Sequence, residues 1–273
     1  MEFCEKTIKY SKPSDEIFIS GLGDVHMGNI GCDKKLLKTC VKWLCNNEAY
    51  VVGMGDMIEA INLNDKRFDI RTIDADMRSE LDNLVSEQMN ALVDIVSEIP
   101  KDRWIGIHTG NHEEKIRLGY YRDVTRDLCR ELGTKYLGWE AWTRLRFERG
   151  GVLKPSHTEV YKMFTTHGSG GGRKDASKQA KIQSIIEYID ADLTMMGHVH
   201  SIQIGRGVKQ TIPTVGELHA QNNTYGWMIT GSFLDKNVEG VTGYAERNNM
   251  PPTKTGISTF RIIPETRKIH IMA

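Results

Sequence analysis

Short apolar runs, rich in β-branched and aromatic residues, punctuate the chain: Ile17–Ile19, Tyr50–Met54, Trp104–Ile107, Thr158–Thr166 and Leu193–Met196. Their length and composition predict buried strands. Each run stops at small or polar residues. In order these are Gly23-Asp24-Val25-His26, Gly55-Asp56, Gly110-Asn111-His112-Glu113, His167-Gly168 and Gly197-His198-Val199-His200. Between the runs the apolar period changes to that of a helix. Leu36, Leu37, Cys40, Val41 and Leu44 follow Asp33, a residue type suited to an N-cap, and Leu81, Leu84, Val85, Met89, Leu92, Val93 and Val96 form a stripe within Asp76–Ile99 that Pro100 stops. Further helices are predicted over Asp123–Leu132 and through Ala176, Ala180, Ile182, Ile185, Ile186 and Ile189. Alternation of strand, ligand-bearing loop and helix predicts βαβ units.

Other stretches read differently. Residues 1–16 are polar and read as an N-terminal leader; 17–273 read as one domain interrupted by an irregular excursion at 57–75, where charges mix without period. Ala141–Phe147 and Thr158–Thr166 flank Gly150-Gly151 and a proline-containing loop, which predicts a long hairpin. Gly207–Val215, Tyr225–Phe233 and Ile257–Ile263 read as late strands and turns, with Arg267–Met272 as a final edge strand. The early alternating elements are expected to fill one half of the fold and the strand-rich segment from Ser201 the other.

Composition bounds the function without naming it. With 273 residues, 39% hydrophobic and 26% charged, the chain can bury about 75% of its extended surface, and its formal net charge of zero gives no bulk attraction to nucleic acid or membrane. The five cysteines are odd in number and contain no close CxxC pair, which argues against a disulfide framework. No signal-peptide pattern and no run of eighteen apolar residues is present, so no membrane partner is expected and the expected location is cytoplasmic.

The chemistry lies at the ends of the strands. Asp24 and His26 are two residues apart and can reach one ion from a loop; an isolated Asp56 suits a carboxylate shared by two ions; Asn111 offers an amide oxygen, and His167, His198 and His200 offer imidazoles. Seven such donors, one shared, give four ligands to each of two metals. Each fragment alone has an ordinary reading, as a polar loop, a turn, a helix cap or surface histidines; their order, each behind a strand signal, favours the metal site. His108, inside a strand, reads as a packed histidine, and His219 as a residue outside the ligand set.

Together these motifs resemble the calcineurin-like metallophosphoesterase superfamily. The resemblance spans Phe18 to about His200. It implies an α/β fold, a four-layer αββα sandwich with two packed mixed β-sheets. Asp24, His26, Asp56 and His200 would bind one divalent ion and Asp56, Asn111, His167 and His198 the other, with Mn²⁺ foremost and Fe²⁺ or Zn²⁺ also suited to these donors. His112 would stabilise or protonate the leaving oxygen while water attacks phosphorus, and Glu59 matches in position the acidic residue that orients that histidine.

The substrate class is less specified. The protein-phosphatase branch continues its second motif as Gly-Asp-x-x-Asp-Arg-Gly, whereas this chain has Gly55-Asp56-Met57-Ile58-Glu59-Ala60-Ile61 and lacks that arginine. Asp24-Val25-His26-Met27-Gly28 is instead similar to the first motif of the nuclease and small-phosphodiesterase branches, so phosphodiester hydrolysis leads. Arg173, Lys174 and Lys178, with Lys181, outnumber Asp175 behind the glycine run and offer contacts to a DNA or RNA backbone; an exposed helix face is the equal alternative. Arg67, Arg71 and Arg78 could extend such a channel, and Tyr120, Tyr121, Trp139 and Trp142 could stack bases or pack in a core. A phosphomonoesterase and a noncatalytic metal-binding or nucleic-acid-binding protein are the alternatives, and the oligomeric state is open.

Overall fold

Parallel strands place the loops at their C-terminal ends on one rim, and two such sets face each other here. The computed structural model describes residues 1–61, 65, 68–150, 156–236, 238–241, 244–247, 249 and 251–273. In the first set, β2 (Ile17–Leu22), β3 (Tyr50–Gly53) and β4 (Trp104–Ile107) run parallel, with β10 (Ser258–Ile263) and β11 (Lys268–Met272) added antiparallel, giving the order β11-β10-β2-β3-β4. In the second, β6 (His157–Thr166), β7 (Leu193–Met196) and β9 (Gln221–Ile229) run parallel within the order β1-β5-β6-β7-β9-β8, where β1 is Glu2–Tyr10, β5 Glu140–Arg149 and β8 Gln203–Thr211.

The layers follow from which faces are apolar. Ile19, Val52, Met54, Leu145, Phe147, Tyr161, Met163, Met195, Met228 and Phe260 fill the space between the sheets. The outer face of the five-stranded sheet buries Val51 and Ile107 against helices α1 (Lys34–Asn46), α2 (Leu84–Val96) and α4 (Val124–Leu132). On the far side, α5 (Asp175–Tyr188) sets Ile182 and Ile186 against Met196, Trp227 and Ile229. The result is the αββα sandwich with two mixed sheets. Among the described residues no helix is long and apolar enough to cross a membrane.

Asp33 caps α1 as its position predicts, its carboxylate accepting from Leu36 N. Three readings need correction. Residues 1–16 are not merely a leader: β1 pairs with β5 along its full length and inserts Ile8 and Tyr10 into the core, a sparse alternation hidden by the charged residues between them. The long helix expected over 76–99 is divided into 3-10 turns at Ala75–Met77, capped by the Asp74 carboxylate, and Leu81–Asn83, before α2 begins at Leu84. The division of the chain at Ser201 also fails, since β10 and β11 return to the first sheet and β1 and β5 open the second. A helix that the apolar pattern does not mark, α3 (Asn111–Tyr120), follows the third donor loop. Gly151 and the proline-containing loop lie outside the described residues, as does Arg67. Within the excursion, Met27 bridges Ile58 and Asn29 bridges Ile73, so its two ends are stitched to the first ligand loop.

Ile8→Ala is expected to lower unfolding stability by about 2–4 kcal/mol, read from urea denaturation, because Ile8 is fully buried. Phe3→Ala, at a side chain 74% exposed on the same strand, should change it by no more than about 0.5 kcal/mol. Equal, small effects would contradict the role of β1 in the core.

Candidate metal centre

Each predicted ligand sits just past the C-terminal end of a parallel strand. Beyond β2 and β3 the two chains continue side by side, with Asp24 N donating to Gly55 O at 2.9 Å and His26 N to Asp56 O at 3.0 Å. This pairing places Asp24 and His26 beside Asp56. From the other sheet, His167 N donates to Trp139 O at 3.0 Å, and Phe233 N to Asp24 O at 3.0 Å. The crowding demands glycine at contact points: a Cβ on Gly110 would lie 2.1 Å from both the nitrogen and Oδ1 of Asp56.

The donors converge in overlapping groups. Atoms of Asp24, His26, Asp56 and His200 lie within 4.8 Å of one another, as do those of Asp56, His167 and His198. Asn111 joins the second group, its Oδ1 lying 3.3 Å from His167 Nε2. Asp56 belongs to both. Its Oδ2 is 3.5 Å from His167 Nε2, while Oδ1 accepts from His112 N at 2.9 Å. Asp24 Oδ1 lies 3.4 Å from His200 Nε2, and Asp24 Oδ2 accepts from His198 N at 2.8 Å.

Neighbouring acceptors orient the rings. His26 Nδ1 donates to Glu59 Oε2 at 2.9 Å and His167 Nδ1 to the Met54 carbonyl at 2.7 Å, so both turn Nε2 toward the centre. Three observations fit a cation here. Asp24 Oδ1 and His198 Nδ1 are buried without a hydrogen-bond partner. His26 Nε2 and His200 Nε2, two imidazole nitrogens able to bind a cation, converge to 3.1 Å. Asp24, His26, Asp56, His198 and His200 all hold positive φ, between 47° and 70°, a strain that clusters at functional sites. The mixed imidazole, carboxylate and amide donors suit borderline divalent ions.

Burial alone would raise the Asp56 carboxyl, but His167 and His112 hold it well below the usual range. Burial likewise lowers His167, yet the Asp56 carboxylate overrides this and raises it to about 9. Burial keeps His26 and His198 below the ordinary histidine value, in the neutral form that a metal requires.

The constellation stands on the rim of the αββα sandwich. The chain has a calcineurin-like metallophosphoesterase fold. No family model matches the chain, and no curated protein matches it. Among solved structures, a chain described as "GAP50 the anchor in the inner membrane complex of Plasmodium" is similar at 12% identity, covering 90% of this chain and 81% of that one with a TM-score of 0.39.

Within this metallophosphoesterase fold, the supporting residues differ from expectation in three places. Glu59 meets His112 through its backbone carbonyl, which accepts from His112 Nδ1 at 2.5 Å, while the Glu59 carboxylate lies 3.9 Å from that nitrogen and serves His26. Lys178 is buried, 3.7 Å from the Asp175 carboxylate, whereas Arg173 and Lys174 are exposed. Arg71 pairs with Asp69, and Arg78 donates to the Ile73 and Arg71 carbonyls. Of the aromatics, Trp139 sets its ring edgewise against His167 with centroids 5.3 Å apart; Trp142 packs on Phe164, and Tyr121 is 95% exposed. His219 is exposed and contacts Glu217 O.

Glu113 has a supporting role that motif matching left unassigned. Its buried carboxylate accepts from the backbone nitrogens of Asp56, Met57, Ile58 and Gly110, at 2.6–3.1 Å, clamping the Asp56 loop to the start of α3. A glutamate three residues past Gly110 carries the capping-box signal that could have revealed both this role and the helix. Gln88, buried in α2, accepts from Ala60 N at 2.8 Å; no local pattern marks it.

Asp56→Asn is expected to cut bound Mn²⁺ from about two ions per chain to below one by elemental analysis, since both groups use that carboxylate. His112→Asn should retain both ions. His108 gives a separate pH test. Its Nδ1 donates to Gly138 O and Nε2 accepts from Thr165 Oγ1, and burial lowers its pKa from 6.5 to about 3. The folded chain therefore binds fewer protons than the unfolded chain between these values, so the contribution is full above about pH 6.5 and declines as pH falls toward 3. Between pH 7 and 5 the stability advantage of the natural chain over His108→Gln should narrow by about 2 kcal/mol. An unchanged gap in urea denaturation would refute this.

Proposed function

We propose that the chain is a dimetal-dependent phosphodiesterase. The observation that carries this reading is the pair of donor groups sharing Asp56, with the His112 ring 4.6 Å from that of His26 and its Nδ1 held by the Glu59 carbonyl. Two bound divalent ions, Mn²⁺ foremost with Fe²⁺ or Zn²⁺ as alternatives, would supply Lewis acidity and a water activated at neutral pH. The protein residues do the rest. Glu113 fixes the loop of Asp56; Glu59 and Met54 fix the rings of His26 and His167. With Nδ1–H of His112 donating to a carbonyl, Nε2 would protonate the leaving oxygen from the doubly protonated imidazolium, leaving the neutral ring with its remaining proton on Nδ1.

Preference for a diester is supported at Ala60. This residue occupies the position of the protein-phosphatase arginine, but it is buried, holds φ 52° and donates its N–H to Gln88. It supplies no cation to a terminal phosphate. Arg173 and Lys174, exposed behind the glycine run that follows His167, support a DNA or RNA backbone as the specialised substrate; Lys178, buried, does not. The five free thiols support a reducing, cytoplasmic setting.

With Mn²⁺, purified protein should hydrolyse bis-p-nitrophenyl phosphate, and His112→Asn should lower kcat by about 10²–10⁴-fold while ions remain bound. Monoester turnover without diester turnover would overturn the assignment. For the nuclease specialisation, labelled single- and double-stranded DNA and RNA should be cut under conditions that hydrolyse the small diester; intact polymers would exclude it.

A further inference from the structure

The strand β8 closes one side of the six-stranded sheet, and among the described residues no strand pairs with its outer edge. It begins three residues past His200 and runs outward with β9 into a projecting arm, where Thr211 pairs with Gln221 and residues 221–224 are all exposed. A two-stranded ribbon in water is marginal by itself. This one also carries apolar side chains: Ile204, Val208 and Ile212 are 42%, 61% and 66% exposed, and Val215 and Leu218 at the tip are 88% and 76% exposed.

The arrangement of these side chains is self-complementary. Ile204 and Val208 lie on one face of β8, and Ile204 pairs with Met228, a residue of the core between the sheets. Ile212, one residue past the end of β8, continues the same spacing. The residues Ile204, Val208 and Ile212 are therefore symmetric about Val208. In an antiparallel pairing of two β8 strands centred there, Val208 meets its own copy, Ile204 meets Ile212, and Arg206 meets Gln210. No like charges stand opposite each other. On the other face, Gly207 meets Lys209, whose ammonium is drawn onto the Ile186 and Ile189 carbonyls at the end of α5 and over the Tyr225 ring. Of the two cations on β8, Lys209 is thus turned to its own chain, while Arg206 stays exposed and in the pairing stands opposite Gln210.

We propose that the occupant of this edge is a second copy of the chain, forming a two-fold dimer through β8–β8 pairing centred on Val208. Isologous pairing of this kind is closed, so it yields a dimer rather than a fibre. The two six-stranded sheets become one continuous sheet, and each apolar row packs side by side with its equivalent. The antiparallel register also sets the start of each β8, close behind His200, beside the far end of the other copy's β8.

Sedimentation equilibrium at micromolar concentration should give twice the chain mass of 30.9 kDa. Val208→Lys places two ammonium groups together at the two-fold axis and should give a monomer; because Val208 is exposed in the single chain, far-UV circular dichroism and bound Mn²⁺ should remain unchanged. Register is tested by oxidation. Val208→Cys should cross-link with its own copy, as directly opposed residues bring Cβ atoms about 4.5–5.5 Å apart. Ile204→Cys alone should not. A monomeric natural chain would overturn the proposal, as would a dimer that survives Val208→Lys or fails to cross-link through Val208→Cys.

Discussion

A single buried carboxylate organises the site. Asp56 is 2% exposed, stands in both donor groups, and touches elements from each sheet: His167 from the end of β6 and the backbone of His112 at the start of α3. A carboxylate in such surroundings is costly unless its charge is answered. The surrounding imidazoles, and a proton on His167, provide that answer within the chain. The loop around it is held as firmly as the charge demands, through the four backbone hydrogen bonds to Glu113 and the close packing against Gly110. Strain accepted at Asp24, His26, His198 and His200 is tolerated because the neighbouring backbone pairings leave the chain no relaxed alternative.

The sandwich explains how residues so far apart in the chain meet. β2, β3 and β4 in one sheet and β6 and β7 in the other end on the same rim, and each delivers its candidate donors there. The space between the sheets is mainly apolar, with Leu145, Phe147, Tyr161 and Met163 fully buried, so the strands are fixed relative to one another by packing rather than by the site. Helices cover the outer faces, and α2 reaches the site through Gln88. The two ends of the second sheet are treated differently. At one, β1 is a charged strand anchored by Ile8 and Tyr10; at the other, β8 leaves an apolar edge with a symmetric pattern.

Much of the site was legible in the sequence because strand ends have local signatures. A short apolar run followed by glycine and a donor residue identifies its own geometry, and Asp24, His26, Asp56, Asn111, His167, His198 and His200 all carry that signature. Tertiary contacts decided the rest. The acceptor for His112 is a carbonyl at Glu59, which side-chain chemistry cannot announce; the Lys178 ammonium, expected among solvent-facing cations, is buried beside Asp175.

The boundary between the two kinds of information is physical. By itself the sequence determined the strands between Ile17 and Met196, the helix capped by Asp33 and the order of the candidate donors, because each depends on residue type and spacing over a few positions; the αββα class entered through the resemblance that those motifs carry. Only the tertiary structure decided which sheet receives each late strand, that β1 belongs to the core, and which polar atoms meet across the rim. Strand pairing over more than a hundred residues, as between β1 and β5, is set by the total burial of two faces, and no local window contains that sum.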